Sequence, residues 1–138
     1  MKIVYWSGTG NTEKMAKLIK QGIVAEGKDA ETIFVSDVNI DALLEEDTLV
    51  LGCPSMGSEV LEESEFQPFI DEISTKVSGK KVALFGSYGW GDGEWMRNFE
   101  DKMLDCGCTI IGTPLIIQNE PDDSDKECII FGREIVTS

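Results

Sequence analysis

The stretch Tyr5-Trp-Ser-Gly-Thr-Gly-Asn-Thr-Glu-Lys-Met-Ala16 decides how the rest of this chain is read. An apolar run, Lys2 to Trp6, gives way to six small polar residues, Ser7 to Thr12, and a helical pattern then begins. Met15, Leu18, Ile19 and Ile23 recur at i, i+3, i+4 and i+8, the spacing of one buried helix face. The stretch is therefore a strand, a glycine- and hydroxyl-rich loop, and a helix starting near Thr12. No positive charge occurs in it before Lys14.

Working outward, the same alternation repeats. Strands are expected at 2–6, 30–35, 48–53, 81–86 and 109–118, mostly as continuous apolar runs, as in parallel strands covered on both faces. Helical spacing returns at Phe66, Phe69, Ile70 and Ile73, at Trp95, Phe99 and Met103 with Met96 beside them, and at Cys128, Phe131 and Ile135. Residues 41–46 add a short helical turn. Ser124, with Glu127 three residues on, has the capping-box spacing for the last helix. The expected fold is α/β: a doubly wound, five-stranded parallel sheet of order 2-1-3-4-5. Pro114 cannot donate a ladder hydrogen bond, so the fifth strand belongs at an edge. With no repeat or linker, residues 1–138 read as a single domain.

Charge and composition exclude several functions. Lys and Arg number 12 against 26 Asp and Glu, a net charge of −14. Such a surface repels nucleic acid and favours basic protein partners. There is no apolar run long enough to span a membrane and no room for a signal peptide before the first strand, so a cytoplasmic setting is expected. Histidine is absent, which removes Ser/His and Cys/His catalysis and imidazole metal sites. Cys106 and Cys108 have no second pair to complete a metal site, and no metal is expected. Cys53 reads as core.

In a sheet of this order, ligands bind beyond the carboxyl ends of the strands, between strands one and three. Ser7, Gly8, Thr9, Gly10, Asn11 and Thr12 lie there. Their hydroxyls, amide and backbone N–H groups, with a helix N-terminus, can hold a phosphate without a cation. One Ser or Thr would be explained by helix capping; the continuous run favours an anion site. The dinucleotide fingerprint fails because Glu13 stands where a third glycine is needed, and a P-loop at Gly52–Gly57 fails because Ser58 replaces its lysine. The strand ends also lack the acidic pocket of a receiver domain. Two further loops, after strands three and four, each present a large polarizable side chain, Met56 and Trp90, able to sandwich an aromatic ring.

The segments WSGTGNTEKMA, LGCPSMGSEVLEESEFQPFI, KKVALFGSYGWGDGEWM and LIIQNEPD together resemble the flavodoxins, of the short-chain type found in anaerobic bacteria, over the whole chain. The resemblance implies a flavodoxin-like fold and non-covalently bound FMN. It implies a low-potential one-electron carrier, cycling through a stabilised neutral semiquinone and an anionic hydroquinone. Residues 7–12 then hold the 5′-phosphate, Met56 and Trp90 flank the isoalloxazine, Glu59 accepts from the flavin N3–H, and the Gly89 amide faces the N1/O2 edge. Asn119 lies near the ribityl chain. Ser55, Gly57, Ser58, Ser87, Tyr88 and Gly91 complete the expected set, with Ser55 standing in for a serine that Pro54 replaces. A peptide flip after Gly57, in a turn such as type II′ that requires positive φ there, is the implied redox switch.

Acids near the flavin (Glu59, Glu62, Glu63, Asp92, Glu120, Asp122) should disfavour the last electron. Each costs roughly 0.4 kcal/mol at about 10 Å through water, on the order of 20 mV. Ferredoxin-type donors and acceptors with basic docking surfaces are the implied partners, and a monomer the implied state. The alternative is a small FMN-dependent quinone or NAD(P)H oxidoreductase, for which almost no chain is left over to build a substrate pocket. The roles of Trp6 and Trp95, bordering the site or packing beneath it, remain open at this level.

Overall fold

The computed structural model describes residues 1–122 and 126–138. Strand β1 (Lys2–Tyr5) leads to helix α1 (Asn11–Ala25), β2 (Glu31–Phe34), a 3-10 turn at Val35–Asp37, α2 (Ile40–Leu43) and β3 (Thr48–Gly52). Then come α3 (Phe66–Ile73), β4 (Lys81–Tyr88), α4 (Glu94–Asp105), β5 (Thr109–Ile110), β6 (Leu115–Gln118) and α5 (Lys126–Thr137). The sheet runs β2-β1-β3-β4-β5, with β6 also on β4, and every strand pairing is parallel.

Strand alternation sorts the apolar side chains into two layers. Ile3, Tyr5, Val50, Ala83 and Phe85 join Met15, Leu18, Ile19, Ile23, Cys128, Phe131 and Ile135 on the α1/α5 side. Val4, Leu49, Leu51, Val82 and Leu84 meet Phe66, Phe69, Ile70, Ile73, Trp95, Phe99 and Met103 on the α3/α4 side. All the helical positions expected from spacing are buried. Each fully buried Ile, Leu or Phe contributes about 1.5–3 kcal/mol. On the first side α1 and α5 cross at Gly22 and Gly132. A Cβ on either would run into a carbonyl of the other helix, Ile129 or Ile19.

The fifth strand departs from expectation. Instead of one run over 109–118, two short strands share the fifth position. Lys81 pairs with Thr109, but Phe85 pairs with Leu115, so two extra residues are taken up between them. Pro114 has no N–H for the ladder, and Gly112 adopts φ +58, so the chain bulges here and resumes pairing at Leu115. The shift is an even number, so the side chains keep their faces. The expected turn at 41–46 is α2, starting one residue earlier and ending at Leu43, with Asn39 Oδ1 accepting from the Ala42 N–H at 3.0 Å. The Ser124 cap lies outside the described residues. No helix among the described residues is long and apolar enough to cross a membrane.

Candidate functional site

The carboxyl ends of β1, β3, β4 and β6 open onto a cleft of about 260 Å³. It is lined by Trp6, Gly8, Thr9, Asn11, Pro54, Ser55, Met56, Ser87, Tyr88, Gly89 and Asn119. Short links between neighbouring strand ends hold it in shape. The Trp6 N–H donates to Gly52 O (3.1 Å), Ser55 N–H to Ser87 O (2.9 Å), and Asn119 N–H to Tyr88 O (2.7 Å).

The loop after β1 is braced from within. Ser7 Oγ accepts from the N–H groups of Gly10 (3.2 Å) and Glu13 (3.3 Å). Ser7 thus caps α1, and capping and anion-binding readings of the loop divide between its residues. The N–H groups of Asn11 and Thr12, in the first turn of α1, have no acceptor within the helix and carry its positive end. Thr12 is 1 % exposed, and its hydroxyl pairs with that of Ser87 at 2.8 Å. The loop after β1 is therefore tied to the end of β4.

The loop after β3 is a tight hairpin. Met56 and Val60 exchange backbone hydrogen bonds of 2.9 and 3.1 Å, leaving Gly57, Ser58 and Glu59 to turn the chain. Gly57 has φ +37, the sign a type II′ turn needs there, and Glu59 has φ +56, unusual for a residue with a side chain. Glu59 is 9 % exposed, and its Oε1 is buried without a hydrogen-bond partner. That carboxylate lies against Gly91 and borders a second hollow of about 200 Å³ between α3 and α4. Gly57 and Ser58 line an outer hollow next to Met56. Trp90, at the tip of the loop after β4, is 64 % exposed.

Several acids expected to ring the site are compensated. Glu62 accepts from the N–H groups of Ser64, Glu65 and Phe66 and from the Ser64 hydroxyl, so it caps α3. Burial alone would raise its pKa, but these hydrogen bonds outweigh burial and the pKa is lowered. Glu120 pairs with Lys14 (3.3 Å) and Asp92 with Arg97 (3.0 Å), both as exposed ion pairs. Glu59 Oε1 has no such partner, and the residue lines the hollow between α3 and α4 rather than the cleft itself.

The two open tryptophans separate. Trp6 lines the cleft, whereas Trp95 is 1 % exposed and donates from Nε1 to Cys53 O at 3.0 Å. Trp95 packs against Tyr88 at 5.6 Å between ring centroids, under the cleft rather than in it. Cys53 is fully buried, its pKa pushed up to about 12 chiefly by burial, so its thiol is chemically inert at neutral pH. Cys108 is also buried and raised to about 11, chiefly by burial. Reasoning from the sequence left Trp6 open and set Pro54 aside, although both line the cleft, and it missed the Glu62 cap and the Thr12–Ser87 pair. A carboxylate just ahead of a helical pattern was the available sign for Glu62.

A family model described as flavodoxin matches residues 3–132. The chain is 71 % identical to a flavodoxin of Clostridium beijerinckii over 98 % of both chains. It is 49 % identical to a flavodoxin of Megasphaera elsdenii, over 96 % of this chain and 95 % of that one. The solution structure of the two-electron-reduced Megasphaera elsdenii flavodoxin superposes with a TM-score of 0.89, covering 99 % of this chain and 98 % of that one at 47 % identity. An archaeal flavodoxin structure, 32 % identical, gives the same score of 0.89 over 99 % of this chain and 97 % of the other.

Proposed function

This chain belongs to the flavodoxin family, and from that premise we propose how its residues hold and tune the cofactor. It is an electron-transfer protein rather than an enzyme, and it works through non-covalently bound FMN. When bound, FMN supplies a ring system that accepts and returns electrons one at a time. The observation that carries our assignment is Glu59 Oε1, an acceptor buried without a donor. An unsatisfied buried acceptor costs about 1–3 kcal/mol, more when charged, and the imide N–H of a flavin is the donor it lacks. The left-handed backbone at Glu59 fits that reading, because strain of this kind collects at ligand sites.

The 5′-phosphate is held by residues 7–12. Ser7 shapes the loop by holding the Gly10 N–H, while Thr9 and the N–H groups of Gly8, Asn11 and Thr12 receive the anion. Of the paired hydroxyls of Thr12 and Ser87, one donates to the other, and the second keeps its proton for a phosphate oxygen. Ser55, in the cleft beside Pro54, adds a hydroxyl that proline cannot. Met56 and Trp90 flank the ring, and the exposure of Trp90 fits an outer cover. Tyr88, Gly89 and Gly91 border the ring's polar edge, with Ser58 beside the turn. Asn119, held at φ +62, meets the ribityl chain. Gly57 keeps the peptide after it cheap to rotate, so the hairpin can offer the ring edge either a donor or an acceptor.

The whole of 1–138 acts as one FMN-binding domain, in the cytoplasm and as a monomer. Its redox partners dock through basic surfaces, matching the net charge of −14. Exchange rates with such a partner will fall across an ionic-strength series in stopped-flow measurements; a flat profile would remove electrostatic docking.

Titration of the apoprotein with FMN and with riboflavin tests the site. Two charge-assisted hydrogen bonds of roughly 1.5 kcal/mol each place FMN at least about a hundredfold tighter. Equal dissociation constants would end the phosphate assignment.

A further inference from the structure

Trp6 has no part in the roles just given, yet it stands where three pieces of the site meet. Its N–H is fixed to Gly52 O at the end of β3. Its half-buried ring packs against the α3/α4 layer and lines the cleft. Its indole Nε1–H donates to Glu65 Oε1 at 3.4 Å, just ahead of α3. The ring is therefore held on several sides. Gly8 lies against its outer edge: a Cβ built on Gly8 would come 2.8 Å from Trp6 Cη2 and 3.1 Å from Cζ3. The three atoms nearest to that Cβ all belong to the indole, so the ring is the first thing a side chain at position 8 would meet.

We propose that Trp6 is a positioning residue whose ring edge supports Gly8 and so sets where the 7–12 loop presents its N–H groups to the FMN phosphate. Ring length at position 6 and the missing side chain at position 8 are then a matched pair. N–H···O hydrogen bonds cluster near 2.9–3.0 Å, so a loop displaced by even ~1 Å weakens several phosphate contacts together. Riboflavin has no phosphate and does not sense the loop position. The inference rests on the FMN reading of the cleft and adds the residue that aligns its phosphate end.

Gly8→Ala, Trp6→Leu and the double variant, compared with the wild type, form the test. Dissociation constants for FMN and riboflavin come from flavin fluorescence, and thermal unfolding of each apoprotein reports folding separately. In the Trp6 background Gly8→Ala is expected to weaken FMN by roughly tenfold or more and riboflavin by less than about threefold. In the Trp6→Leu background the same change should cost FMN less than about threefold, because the edge it strikes is gone. Trp6→Phe, which keeps an aromatic ring against the core but lacks the outer edge, replaces Trp6→Leu if that variant does not fold. An equal Gly8→Ala penalty in both backgrounds, or equal losses for FMN and riboflavin, would overturn the pairing while a wild-type preference for FMN left the site assignment standing. Loss of that wild-type preference would overturn both.

Discussion

The seam between α1 and α5 and the hairpin beside the cleft both depend on glycine, for opposite reasons. At the seam Gly22 and Gly132 sit inside regular helices, and what matters is space: each faces a carbonyl of the opposite helix with no room for a methyl group. In the hairpin Gly57 has nothing within 4 Å of a built Cβ, and what matters is torsion, φ +37. One region uses the missing side chain to bring two backbones together permanently. The other, on the function proposed above, uses it to keep a backbone adjustable. Substitution should therefore damage stability in the first and cofactor behaviour in the second.

The largest effect is expected at the seam. Gly132→Val forces the helices apart, and neither carbonyl can rotate away without breaking its own helix. A loss of about 3 kcal/mol, on the order of 10 °C in thermal midpoint, is expected. The ratio of FMN to riboflavin affinity should not change, because Gly22 lies about three turns along α1 from the N–H groups of Asn11 and Thr12. A change in that ratio, or an unshifted midpoint, would show that the two regions are not independent.

Glu62 sharpens the comparison, since it lies at the end of the cleft segment yet belongs structurally to α3. Hydrogen bonds to a charged acceptor are worth roughly 1.5–3 kcal/mol, so Glu62→Gln should destabilise by about 2 kcal/mol at pH 7. The sign of the pH dependence follows from the lowered pKa. A carboxyl whose folded pKa lies below its unfolded value of 4.5 stabilises fully above that value and loses its contribution as pH falls through the folded pKa. Wild type and Glu62→Gln should therefore begin to converge in chemical denaturation as pH falls below 4.5, and meet once it is below the folded pKa. A constant gap down to pH 3 would mean that shape, not charge, makes the cap.

The strand order and both helical layers were legible because buried parallel strands and helix faces write their periods directly into the chain. The break in the fifth strand was not. An even register shift leaves no mark on side-chain alternation, so Gly112 and Pro114 were the only signs within Thr109 to Gln118 that the run divides. Residues 7–12 stood out because a continuous run of hydroxyls and glycines is more than one helix cap needs. Trp6 and Trp95 could not be told apart, since depth beneath a loop is not a property of spacing. Glu62 was hidden among Glu63, Ser64 and Glu65, each chemically able to cap a helix; only the backbone path selects it. The unsatisfied oxygen of Glu59 is likewise a property of packing and has no sequence signature.

The smallest expected effect tests the adjustable half of the comparison. Gly57→Thr adds a side chain into open space, so any consequence comes from the backbone. A residue with a Cβ pays roughly 1–2 kcal/mol in the left-handed region, and a β-branched one is especially disfavoured there. The Met56–Val60 hydrogen bonds hold the hairpin ends, so that cost falls on the three residues between them. In the proposed site neither residues 7–12 nor Glu59 Oε1 depends on residue 57, so affinity for the oxidised cofactor should change by less than about threefold, under 1 kcal/mol. The conformation that becomes favourable after the first electron should bear the cost instead. About 1 kcal/mol corresponds to roughly 40 mV for a one-electron couple, so the first reduction potential should fall by that order while the second moves in the opposite direction. Absorbance-monitored redox titration of both proteins reads the two steps separately. If Gly57→Thr leaves the gap between them unchanged, the hairpin does not adjust during reduction, and Gly57 is there only to make the turn.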